Sequence, residues 1–95
     1  MQISEVGFPE KFVKDITIRL RRVEGQVRGL REMILDDREC EEIMQQLAAA
    51  TRALDRVARI LLTTGMETCI KRQLAGELDN SDVMARIQKM FIKFR

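Results

Sequence analysis

Between Val13 and Leu61 the apolar residues return at alternating intervals of three and four, and this rhythm restricts the folds open to the chain more than any other feature. Val13, Ile16, Leu20, Val23, Val27, Leu30 and Ile34 make one series, and Cys40, Ile43, Leu47, Ala50, Leu54, Val57 and Leu61 make a second. Each series is a seam down one side of an α-helix, with the spacing of helices that pack side by side. Asp36 and Asp37 lie between the seams and supply turn and N-cap chemistry. The spacing therefore predicts two long helices joined by a tight turn, an antiparallel hairpin. Pro9 marks the start of the first helix. A further stripe, Ala58, Leu62, Met66, Ile70 and Leu74, carries the second helix to about Ala75. It does so across Gly65, which costs about 1 kcal/mol relative to Ala. Gly76 to Asn80 reads as a break, after which Ser81 or Asp79 caps a short third helix. That helix carries Met84, Ile87, Phe91 and Phe94 on its apolar face, with Val83 and Met90 beside it.

Composition agrees with helix-on-helix packing. Apolar residues are 45% of the 95, yet Trp and Tyr are absent and only four Phe occur, so the core is aliphatic and methionine-rich. One Pro and five Gly leave little material for turns, and no strand pattern or internal repeat is present. The expected fold class is all-α. A single hairpin cannot cover both seams, whereas two paired hairpins form a four-helix bundle that can. Residues 1–9 are expected to be a flexible segment, and residues 10–95 a single all-α domain. No apolar run approaches membrane-spanning length, and Met1 to Glu10 lacks the regions of a signal peptide. The expected setting is cytoplasmic, with reduced thiols and no membrane partner.

A net charge of +2 conceals segregation. Lys11 to Arg31 holds seven basic residues against Asp15 and Glu24, Glu32 to Glu42 holds six acids against Arg38, and Arg52 to Arg72 holds five basic residues against two acids. Arg52, Arg56 and Arg59 share an outward face of the second helix, as Arg19 and Arg22 do on the first, with Arg21 and Arg28 beside them. Guanidinium groups so placed suit phosphate oxygens, although a solvated helix surface has the same look. No helix-turn-helix, zinc finger or basic zipper is present, so DNA binding would use the outer face of the bundle.

The chain has no histidine and two cysteines, Cys40 and Cys69. Imidazole chemistry is excluded, and any covalent or metal chemistry falls to the two thiols. Cys40 stands in the first turn of the second helix, where the helix dipole favours a thiolate and Asp37, Glu39, Glu41 and Glu42 oppose it. Cys69 has Lys71 and Arg72 nearby, which could favour its thiolate, and the sequence settles neither balance. Twenty-nine residues of helix separate the two by about 43 Å, so they cannot meet within one chain. In an antiparallel pair of second helices, each Cys40 could meet the Cys69 of the other copy. The alternative is a pair of small buried hydrophobes.

The run RLRRVEGQVRGL, Arg19 to Leu30, together with a cysteine opening the second helix and another 29 residues later, resembles the copper-sensitive operon repressor family. That family includes nickel/cobalt-, formaldehyde- and persulfide-responsive repressors, and the likeness runs from about Glu10 to Arg95. It implies a three-helix protomer, an antiparallel four-helix-bundle dimer and a dimer-of-dimers homotetramer. It also implies repression of transcription at duplex operator DNA, relieved by an inducer. The family's DNA-contact arginines match Arg19 and Arg56. Its four sensing positions match Phe8, Cys40, Gly65 and Cys69. Copper sensors carry His at the third position, where this chain has Gly65. The nickel/cobalt pattern needs several His, and the formaldehyde pattern an N-terminal Pro amine where Gln2 stands. Cysteines at the second and fourth positions without the histidine resemble the persulfide-sensing branch. On this reading Gly65 leaves space beside the Cys69 sulfur for a sulfane sulfur donor. A persulfide or polysulfide inducer then bridges Cys40 and Cys69 between protomers, and no resident cofactor is expected.

The alternatives are a Cu(I)-responsive repressor using the thiolates of Cys40 and Cys69, a thiol enzyme or sulfur carrier, and a coiled-coil adaptor. No residue is placed as a base or oxyanion donor, which argues against an enzyme.

Overall fold

Four helices follow one another: α1 (Ile3–Val6), α2 (Glu10–Leu35), α3 (Cys40–Leu74) and α4 (Ser81–Ile92). They belong to a computed structural model that describes residues 2–76 and 81–93, with the backbone alone at 73, 81–84, 87 and 91. Among the described residues there is no strand. The two long helices and the last one occupy the spans that the seams and caps predict. The break at 77–80 and the side chains of Met84, Ile87, Phe91 and Phe94 lie outside the described residues.

The first helix is an addition. Residues 1–9, expected as a flexible segment, contain α1, which ends on Gly7 at φ 84°. Only glycine adopts that left-handed backbone without strain. Val6 is buried at 8% exposure. A four-residue helix has no periodicity long enough to read in sequence, and it is too short to hold itself.

Asp36 and Asp37 form the α2–α3 turn as expected, with Asp37 closing α2. Asp37 takes the left-handed position there, at φ 55°. The Arg38 N–H donates to the Met33 carbonyl at 3.0 Å and the Asp37 N–H to Ile34 at 3.2 Å. That pair of bonds is a Schellman cap, a position that usually takes glycine. An Asp tolerates it because its short side chain clashes less there than a branched one.

The residues group into two compact units, Lys14–Val57 and the chain up to Val13 joined with Ala58 onward. Within Lys14–Val57, α2 and α3 pair antiparallel. Gln46 Nε2 donates to the Gln26 carbonyl at 3.2 Å, while Arg19 and Arg22 share a pocket with Ala53 and Arg56. The seams divide cleanly. Ile16 and Val23 on α2 and Ala50 and Val57 on α3 are buried. The alternate members Leu20, Val27 and Ile34, and Leu47 and Leu54, stay 40–58% exposed. One chain covers every second rung of its own ladder.

Within the other unit, Val6 and Cys69 form a small buried cluster, with Phe8 and Met66 packed against it. Phe8 stacks on Phe12, with ring centroids 4.9 Å apart.

Candidate functional site

The two cysteines stand in opposite surroundings. Cys40 opens α3 and is exposed. Its heptad partners Leu47 and Leu54 are on the exposed stripe described above. Cys69 has 1% of its surface exposed. Burial pushes its thiol above the ordinary value, and the Arg72 guanidinium only partly offsets that. Arg72 acts in the direction its place in the sequence suggests, and burial outweighs it. Lys71 is paired with Glu67 at 3.1 Å.

Arg72 has another task that the sequence did not signal. Its Nη1 donates to the carbonyls of Glu5 at 2.8 Å and Val6 at 2.9 Å. A cation on the last carbonyls of a helix completes bonds the helix itself cannot make. Arginine 67 residues distant from its acceptor leaves no local pattern, so only the fold reveals this contact.

The space beside Gly65 is corrected. A Cβ built on Gly65 would lie 3.4 Å from Phe8 Cζ and 3.7 Å from Cε1. The ring of Phe8 thus occupies the place where a side chain at position 65 would reach. Phe8 and Gly65, two of the four positions the resemblance singles out, pack against each other. An apolar hollow of about 320 Å³ borders both, walled by Val6, Ala58, Leu61, Leu62 and Met90, and Cys69 is not among its walls. The available room is offset from the sulfur. Among the described residues no group of three or more His, Cys, Asp and Glu is placed to hold a metal ion. Met66, a thioether residue, packs against the cluster that contains Cys69.

Of the five arginines singled out in the sequence, three converge. Arg19, Arg22 and Arg56 line one pocket of about 280 Å³ with Gln26, Ala53 and Val57. Arg19 is partly held by Asp15, Nε to Oδ2 at 3.0 Å. Arg52 and Arg59 are exposed on α3 but are not part of this pocket. Three guanidinium groups around a concave surface suit a phosphodiester oxygen better than a flat stripe does. Antiparallel pairing produces the convergence, because it sets the residue 19–22 turn of α2 beside the 53–57 turn of α3.

This fold and sequence have known relatives. The copper-sensing transcriptional repressor RicR of Mycobacterium tuberculosis is 47% identical over 57 residues, 60% of this chain and 59% of that protein. The chain thus spans less than two thirds of that relative. The copper-sensing transcriptional repressor CsoR of Bacillus subtilis is 35% identical over 79 residues, 83% of this chain and 77% of that one. Among solved structures, the copper-sensing repressor CsoR with Cu(I) from Geobacillus thermodenitrificans NG80-2 superposes with a TM-score of 0.77 at 30% identity, covering 92% of this chain and 90% of that one. The nickel-responsive transcriptional regulator InrS gives 0.73 at 36% identity, covering 86% and 91%. No described helix is long and apolar enough to cross a membrane. Residues 13–93 match the pattern of the metal-sensitive transcriptional repressors, and the chain belongs to that family.

Proposed function

We propose that this chain is a transcriptional repressor that grips duplex operator DNA with Arg19, Arg22 and Arg56 and lets go when sulfane sulfur oxidises Cys40 and Cys69. Arg52 and Arg59 extend the basic face around that grip. The observation that carries the inducer assignment is the contact of Phe8 with Gly65. The position where a third donor would stand is a glycine filled over by a phenyl ring, in a chain without histidine. Two thiols remain.

Self-association is part of the reading. Cys40, Leu47 and Leu54 fall seven residues apart on one exposed stripe, and Leu20, Val27 and Ile34 form its counterpart on α2. Apolar rungs in register over several turns are a surface for burial against another helix pair. A second hairpin laid antiparallel on this stripe carries its Cys69 towards Cys40, giving a bundle dimer that can pair into a tetramer.

Exposure orders the chemistry. The exposed Cys40 attacks first, as a thiolate on the outer sulfur of a hydropersulfide RSSH. The donor's S–S bond breaks, RS⁻ leaves, and Cys40 becomes a persulfide. Cys69 of a second copy then attacks the Cys40 sulfur and expels HS⁻, leaving a disulfide between chains. The donor is the oxidant and both thiols are oxidised. A bridge across the bundle then favours a geometry in which the arginine pockets no longer match the phosphate spacing.

Intact mass spectrometry without reductant, after treatment with sodium tetrasulfide, tests this. The expected product is two chains joined through Cys40 and Cys69, some carrying additional whole sulfur atoms, with weakened binding to a duplex. Unmodified single chains would sink the sulfur reading. One observation favours a second inducer: Met66 packs against the Cys69 cluster, and thiolate with thioether is a Cu(I) donor set. Retention of Cu(I) against a competing chelator, lost in both Cys69→Ser and Met66→Leu, would transfer the assignment to copper.

A further inference from the structure

We propose that residues 3–8 are a latch that shields Cys69, that it must lift before the thiol reacts, and that Arg72 is the positioning residue that holds it shut. The latch concerns the thiol of the sensing site proposed above, but its test reads thiol access alone and so stands or falls apart from repression.

Three contacts fasten the segment. Val6 inserts against Cys69 and is the one buried residue of α1, while Ile3 stays 58% exposed. Phe8 lies on Gly65. The Arg72 guanidinium takes the two carbonyls that α1 presents at its end. Gly7 makes the third contact possible twice over. Its φ of 84° turns the chain, and a Cβ there would sit 2.9 Å from Arg72 Nη1. The bonds are charge-assisted, yet a one-turn helix with a single buried side chain is an element that opens locally, well below the cost of unfolding the chain.

Arg72 makes the latch more than a cover. It stands three residues after Cys69, one helical turn away. Shut, the latch keeps Cys69 dry and occupies the guanidinium with backbone oxygens. Open, it admits water to the sulfur and lifts the desolvation that outweighs the Arg72 charge. Access and activation are thereby gained in one movement, and the exposed Cys40 needs neither.

The experiment uses the full chain with Cys40→Ser, so that Cys69 is the sole thiol. Iodoacetamide incorporation is followed by intact mass, and far-ultraviolet dichroism and urea titration are recorded for each variant. Arg72→Ala and Gly7→Ala should each raise the alkylation rate on the order of tenfold, with Arg72→Lys in between. The sign is diagnostic. Removing the Arg72 charge alone would slow Cys69 by making its thiolate less stable, so acceleration reports uncovering. Urea distinguishes a latch from general loosening, because local opening exposes little surface and responds weakly to denaturant. Rates in Arg72→Ala and Gly7→Ala within twofold of the parent would overturn the latch. So would a parent rate that climbs in low urea as steeply as global unfolding.

Discussion

Cys40 and Cys69 lie on one helix, near its two ends, and they meet opposite conditions. Cys40 begins α3 in solvent beside an open apolar stripe, whereas Cys69 is covered to 1% by a segment from the far end of the chain. Local sequence leaves their order open. It puts a helix start and acids around Cys40 and cations after Cys69, and these charges alone do not decide which is the readier thiolate. Desolvation by tertiary contact overrides neighbouring charge because it acts on the sulfur directly, while an exposed or otherwise engaged cation is screened or spent elsewhere. The difference teaches that thiol reactivity here is assigned by what folds over the sulfur.

The largest expected effect tests that contrast. With iodoacetamide at neutral pH, Cys40 should be modified roughly a hundredfold faster than Cys69, since the latter reacts only from opened states. The two adducts are distinguished by peptide mass. The pH profile adds a sign. A buried thiol with a raised pKa releases its proton at higher pH, so the Cys69 rate should keep climbing past the ordinary thiol value of 9.0. Comparable rates at the two sites, or a Cys69 rate that levels off below that pH, would break the comparison.

A second contrast, between covered and open rungs of the same seam, has a smaller expected effect. Val23 is 7% exposed and Val27 is 52% exposed, though both belong to one apolar series. Val23→Ala should cost about 2 kcal/mol from lost burial and the cavity left behind. Val27→Ala should cost under about 0.5 kcal/mol in dilute protein. If a second copy covers the open stripe, the Val27→Ala penalty grows with protein concentration. Urea unfolding over a range of concentrations checks both. Equal penalties at every concentration would mean the rungs have been divided wrongly.

These contrasts show what could be read from the sequence. The seams are legible because helix periodicity is a property of many residues at once, and the spans of α2 and α3 follow from it. The position of Cys40 at a helix start is legible for the same reason. The pocket of Arg19, Arg22 and Arg56 is half legible. Each helix shows its outward arginines, but which of the five converge depends on the register of the hairpin, and that is fixed by contacts such as Gln46 to Gln26. The cover on Cys69 is not legible. It rests on a one-turn helix, a glycine at positive φ and an arginine bonded to carbonyls 66 and 67 residues away. None of these leaves a periodic or compositional trace. Gly65 shows in sequence only as a missing side chain, and the Phe8 ring packed beside it leaves no trace there.

The smallest expected effect separates the basic pocket from the thiol region. Lys14–Val57 contains Arg19, Arg22 and Arg56, and the other unit contains Cys69. Binding to a fluorescent duplex of mixed sequence isolates the electrostatic contribution, which does not depend on knowing the operator. Arg56→Ala should weaken that binding roughly fivefold and reduce the slope of log affinity against log salt by about 1, the signature of one lost phosphate contact. Arg28→Ala, an exposed arginine of α2 outside the pocket, should change the slope by less. Alkylation of Cys69 in the absence of DNA should be the same in both variants as in the parent. An unchanged slope for Arg56→Ala would remove the pocket from the DNA grip. A shift in the Cys69 rate would show instead that the pocket and the covered thiol already influence each other before any inducer arrives. The bridge between chains would then reinforce a coupling that the single chain contains.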